Sequence, residues 1–127
     1  MTAPSEPDFQ AIVDGMREKF LVYARDNITE LYAALDAIAA CSESREKHLA
    51  AVQRHAHSIK GAAGTFGFMS MTRIAMALEE ISRSTEPDDE FPLWSCRRMV
   101  QVMDKILSAR EEPATETVDA LLNELAA

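Results

Sequence analysis

The sequence predicts an all-α protein, an antiparallel four-helix bundle with an additional short N-terminal helix and a short C-terminal helix. Three observations lead there. Apolar residues recur at steps of three and four along most of the chain. No segment alternates apolar and polar residues between tight turns, as a half-buried strand would. The breaks between the periodic segments are short, which suits helices packed side by side. With 127 residues, 47% of them hydrophobic and 27% charged, the chain has the size and balance of one globular domain.

Residues 1–7 read as a flexible tail, and 8–127 as the single domain. From Asp8 the apolar positions Phe9, Ile12, Val13, Met16 and Phe20 have helical spacing, which resumes at Ile28, Leu31, Leu35 and Ile38. A break near Asp26-Asn27 would separate a short N-terminal helix from the first long one. Cys41 to Ser44 is a turn, with Ser42 or Ser44 placed to cap the next helix. That helix carries Leu49, Val52, Ala56, Ile59, Ala63 and Phe66, and Gly67-Phe68 ends it. Ser70 is placed to cap a further helix through Arg83, with Ile74, Leu78 and Ile81 inward. Ser84 to Pro92 is a loop with two prolines and four acids. Trp94, Met99, Val102, Met103 and Ile106 mark the next helix, Pro113 interrupts it, and Val118, Leu121, Leu122 and Leu125 form the short last one.

The net charge of −8, from 21 acidic and 13 basic residues, argues against general affinity for nucleic acid. Pro4, Glu6, Pro7 and Asp8 stand where a signal peptide would need an apolar run. No uncharged apolar stretch approaches the roughly 20 residues that span a bilayer. A soluble cytoplasmic protein is the expectation. Cys41 and Cys96 have neither metal-site nor redox-motif spacing, and two buried reduced thiols are expected in preference to a disulfide between them.

The informative stretch is His57-Ser58-Ile59-Lys60-Gly61-Ala62-Ala63-Gly64-Thr65-Phe66-Gly67. At about 100° per residue, the apolar positions of this helix cluster roughly 130° away from His57. The histidine therefore shares a solvent-facing stripe with Gln53, Arg54, Lys60, Gly61 and Gly64. His48 and His55 fall at the edge of the apolar arc, as surface or boundary residues. An imidazole titrates near neutral pH, so an exposed one serves there as a nucleophile. A phosphoryl group on it would carry charge that Lys60, one turn on, could partly neutralise. Interior glycines cost a helix about 1 kcal/mol each relative to alanine, and Gly61 and Gly64 would let a partner's surface come close. From Ser44 to Gly67, Arg45, Lys47, Arg54 and Lys60 face only Glu46, a basic island suited to an acidic partner. No Gly-rich phosphate loop followed by Lys-Ser/Thr accompanies these residues, so a nucleotide site is not expected in this chain.

Ala56-His57-Ser58-Ile59-Lys60-Gly61-Ala62-Ala63, closing with Gly67, resembles the signature of histidine-containing phosphotransfer (HPt) domains, and Ala77-Leu78-Glu79 resembles the Leu-Glu pair of that family's next helix. Ile59 stands in place of the usual leucine, and Phe68 follows Gly67 where a small residue is common. The resemblance implies that His57 accepts a phosphoryl group from an aspartate of a response-regulator receiver domain and returns it, with Lys60 stabilising that group. Gly61 and Gly64 would keep the docking face open, and Gly67 would shape the turn. Gln53 and Arg54 flank the histidine on the same face. Phe68, Met69 and Met71 are candidates for docking the partner, against the competing expectation that they fold back onto the core. The receiver would bring the acidic pocket and its Mg²⁺, so no cofactor or metal is assigned to this chain, and a monomer is expected.

Two other classes compete. Sensor kinases carry a phosphoacceptor histidine on a helical bundle, but with different following residues and an ATP-binding domain that this length cannot hold. A helical adaptor or antagonist would dock on receivers without carrying phosphate. Metal binding by His48, His55 and His57 is disfavoured, because their spacing does not gather three nitrogens around one ion.

Overall fold

The computed structural model describes residues 6–40 and 43–126. Five helices account for most of them: α1 (Glu6–Ala40), α2 (Arg45–Ala63), α3 (Met69–Ser84), α4 (Leu93–Ala109) and α5 (Thr115–Ala126), with a 3₁₀ turn at Gly64–Phe66. No strand occurs among the described residues. Helix α1 packs against α2 and α4, and α3 packs against the same two, so four helices share one core; α5 leans on α3. Fully buried Leu31, Leu35, Val52, Ile59, Ile74, Leu78, Val100 and Met103 form its centre.

One expected boundary is absent. The chain runs through Asp26-Asn27 as a single 35-residue helix, about 50 Å long. Asparagine is only a weak helix former, and here its polar groups are satisfied without breaking the helix. The Asn27 amide donates to the Tyr23 carbonyl one turn back. Its oxygen accepts from His55 Nδ1 on α2 at 2.8 Å. Burial, and then the neighbouring Arg54, push the His55 imidazole below its usual range, which keeps it neutral in this role. There is thus no separate short N-terminal helix. The expected tail falls mostly on residues 1–5, outside the described residues; Glu6 and Pro7 already belong to α1, where the first turn tolerates proline. The core takes up α1 only from Phe20 onward, leaving Phe9, Ile12 and Met16 exposed.

The caps also differ from expectation. Ser44 precedes α2 in a left-handed conformation and makes no side-chain cap; its carbonyl accepts from the Lys47 and His48 amides. Ser42 lies outside the described residues. Ser70 sits inside the first turn of α3, where its amide donates to the Glu112 carboxylate at 2.9 Å and its hydroxyl bonds the same group. A carboxylate from the α4–α5 connection therefore caps α3, favoured by the positive end of the helix. Trp94 opens α4 but is exposed, off the face that buries Met99, Met103 and Ile106.

Cys96 is a free, fully buried thiol, and burial pushes it up to about 12. Cys41 lies outside the described residues. A Cys41→Ser variant should therefore show no thiol reactive toward an aromatic disulfide reagent at pH 8 while folded, and one in denaturant. Rapid native-state reaction would mean that this part of the core opens.

Candidate functional site

Helix α2 buries Leu49, Val52, Ala56, Ile59 and Ala63 against its neighbours, which turns His57 outward. The imidazole is 68% exposed. Its Nδ1 lies 2.8 Å from a carboxylate oxygen of Glu79, a buried residue of α3. The other oxygen of the same carboxylate accepts from Lys60 Nζ, also at 2.8 Å. One acid thus bridges the two residues that the sequence singled out. The Lys60 hydrogen bond foremost, with that of His57, holds the Glu79 carboxyl below the usual carboxylate range against the opposing effect of burial.

An ionised carboxylate only accepts, so Nδ1 of neutral His57 must be the protonated nitrogen. The lone pair then belongs to Nε2, for which no hydrogen bond within the protein is found among the described residues. The arrangement presents a tautomer-fixed imidazole on an exposed surface, with an ammonium beside it.

The glycines divide. Gly61 is exposed, and a Cβ there would meet nothing within 4 Å. Gly64 is half-buried, and its Cβ would meet the tip of Met69 at 3.3 Å and the Thr72 hydroxyl at 3.4 Å. The docking face is therefore bare at Gly61 but already covered at Gly64 by a flexible thioether. Gly67 has φ +89°, a left-handed conformation that glycine alone takes without strain. Its amide donates to the Gly64 carbonyl and that of Phe68 to Ala63, which together make a Schellman termination.

That termination corrects the expectation for Phe68. In such a turn the residue after the glycine swings back to meet the last helical turn. Phe68 is fully buried, stacked 6.0 Å from Phe20 and capped by the Arg17 guanidinium, while Phe66 stacks on Phe20 at 5.1 Å. Met71 is also buried, and neither side chain is available to dock a partner; only Met69 of the three is exposed. Gln53 is half-buried and Arg54 exposed, on the two sides of His57. Glu79 is what sequence reasoning did not place in the site. Its signal was a carboxylate at the edge of the apolar arc of α3, which needs a partner wherever it is buried.

Among the described residues, no group of three or more His, Cys, Asp or Glu side chains is gathered as metal ligands would be. No helix there is long and apolar enough to cross a membrane.

The fold and site define an all-helical domain that displays one histidine, held by an acid from the next helix, on an open surface. The family model described as "Hpt domain" matches residues 15–127, and the chain belongs to that family. Searches of curated proteins and of solved structures returned no match. Membership carries a phosphotransfer role in two-component signalling, with receiver domains and kinases as the class of partner.

Proposed function

We propose that this chain is a phosphoryl relay in which His57 exchanges a phosphoryl group with aspartates of response-regulator receiver domains. The observation that carries the proposal is the pairing of Nδ1 with Glu79, which leaves Nε2 as the nucleophile on the exposed face. The Nε2 lone pair attacks the phosphorus of the receiver's aspartyl phosphate. The N–P bond forms as the bond to the aspartate oxygen breaks, and the aspartate leaves as a carboxylate. The Nδ1 proton stays in place, and the Glu79 carboxylate balances the positive charge that the ring gains. The return step is the reverse.

Lys60 supplies the cation next to the transferred group, and Gly61 leaves room for the receiver's approach. Arg54 and Gln53 flank that approach, Gly64 and Gly67 shape it from below, and Met69 offers the apolar contact expected of Phe68. The core at Phe68 supports the turn from inside. The helices form an antiparallel four-helix bundle with α5 appended, acting in the cytoplasm. The chain carries no cofactor of its own; Mg²⁺ and the acidic pocket belong to the receiver, and positioning with charge stabilisation supplies the catalysis. Because the chain presents no phosphate-binding loop, it receives phosphate and does not autophosphorylate.

The test is incubation with a phosphorylated receiver, which should leave an acid-labile, alkali-stable label on the chain. Under those conditions Lys60→Ala should slow labelling by about tenfold or more, the worth of a hydrogen bond to a charged group, with the helical signal unchanged. Equal rates with several receivers would remove Lys60 from this role. Binding without any label would favour an adaptor that docks on receivers and carries no phosphate.

A further inference from the structure

A partner that exchanges a phosphoryl group with His57 must cover the ring, and α2 itself gives such a partner no apolar hold. The large apolar side chains of α2, Leu49, Val52 and Ile59, are all buried. Around His57 its surface carries Gln53, Arg54, Ser58, Lys60 and the bare Gly61. The centre of a protein interface is depleted in charge and rich in apolar contact. That contact therefore belongs to a neighbouring helix, α1 or α3.

The place of His57 on α2 selects between them. Counted round the helix, Lys60 lies about 60° from His57 on the α3 side, and Ala62 about 140° away on the α1 side. Glu79 holds the imidazole toward α3, since its carboxylate bonds both His57 and Lys60. Two apolar side chains line that seam. Met76, 53% exposed, is one turn before Glu79 on α3. With Lys60 and Glu79 it lines a shallow cleft of about 570 Å³ that reaches across α3 to Leu122 of α5. Met69, 54% exposed, is two turns before Met76. Its methyl end lies 3.3 Å from where a Cβ of Gly64 would be, over the stripe of α2 that carries His57. These are the two large apolar side chains that α3 exposes. The cations of the cleft are already paired, Lys60 with Glu79, Arg73 with Asp119 at 2.6 Å, and Arg83 with Glu80. What the cleft offers a partner is thus apolar. The groove on the other side of α2, lined by Met16, Tyr23, Ala62 and Phe66, is separated from His57 by Arg54, Ser58 and Gly61.

We propose that the receiver domain seats on the α3 side of His57, with Met76 and Met69 as its apolar contact, and leaves the α1 side of α2 free. The inference rests on the reading of His57 as phosphoryl acceptor and adds where the partner sits. Thioether side chains suit such a seat, because they are flexible and repack against partners of different shape.

The test uses the full chain and the receiver domains of its source organism, each phosphorylated with acetyl phosphate. The receiver that labels the wild type fastest is titrated, which gives the concentration at half-maximal rate and the rate at saturation. Met69→Gln combined with Met76→Gln keeps length and charge but removes the apolar contact. The pair should raise the half-maximal concentration by about tenfold. The loss should be confined there and spare the saturating rate, because neither residue touches the reacting atoms. Met69→Leu with Met76→Leu should stay near wild type, and Tyr23→Gln, on the α1 side, should change neither quantity. Both methionines are exposed, so the helical signal should be unchanged throughout. A glutamine pair that matches wild type, a leucine pair as impaired as the glutamine pair, or a Tyr23→Gln shift as large as theirs overturns this seat and leaves His57 as the acceptor. A wild type that takes no label from any receiver overturns the acceptor reading, and the seat with it.

Discussion

His57→Gln should lower the label acquired from a phosphorylated receiver to background while leaving the helical content and the melting temperature close to wild type. Glutamine is a fair shape mimic for an imidazole on a helix surface, and His57 contributes little to the core because most of its side chain is in water. Its amide nitrogen can still donate to Glu79, but the side chain has no nucleophilic ring nitrogen. The two other histidines cannot take over. His55 is half-buried, with Nδ1 committed to Asn27 and its imidazole held below the usual range by burial. His48 is half-buried near the start of α2, more than two turns from His57. Label retained on His57→Gln, or mapped to His48 or His55 in the wild type, would reject His57 as the acceptor.

How far the sequence carried this picture depended on whether the deciding interactions were local. The face of α2 on which His57 lies follows from helical periodicity within one element, and so does the burial of Leu49, Val52, Ala56 and Ile59 opposite it. Gly67 ends the helix where its left-handed conformation requires it, and that too is a local property. The continuity of α1 through Asp26-Asn27 is not legible in the sequence because the group that reconciles Asn27 with a continuous helix is His55, 28 residues away. The choice between docking surface and core for Phe68 escapes the sequence for a related reason, and the core is what the structure shows. Whether the residue after a left-handed glycine turns out or in depends on what waits inside, here Phe20 from α1. The place of Glu79 in the site is not legible locally, since its two donors lie on another helix and the register between α2 and α3 is not written in either one alone. The remaining exposed apolar residues at the start of α1 show the limit of periodicity from the other side. A regular apolar stripe identifies a helix, but not how much of that helix the core will cover.

Glu79→Ala should slow phosphoryl acceptance by about 10- to 100-fold, the range found when the partner that fixes a ligating histidine's tautomer is removed. The loss arises without any contact between Glu79 and the incoming group. Without the carboxylate, the Nδ1 proton has no fixed acceptor, the ring samples both tautomers and other rotamers, and Nε2 is correctly presented only part of the time. Lys60 simultaneously loses the acceptor that holds its ammonium beside the histidine. Glu79→Gln separates the two effects, because its amide oxygen can accept from one donor but its NH₂ opposes the other. It should fall between wild type and Glu79→Ala in rate. The cost in stability should be small, about 1 kcal/mol, because the freed donors of His57 and Lys60 can turn toward water. That cost has a pH signature. The carboxyl is held below its ordinary value of 4.5, so its contribution is fully present above that value and is lost as the pH falls through the lower, folded-state range. The stability difference between wild type and Glu79→Gln should therefore be constant from neutral pH to about 4.5 and shrink below it. Nitrogen-15 spectra of the His57 ring give a readout that a merely structural role would not move: a proton on Nδ1 in the neutral wild type, and a mixture of tautomers in Glu79→Ala. Unchanged tautomer populations together with an unchanged rate would leave Glu79 as a buried acid that only neutralises Lys60.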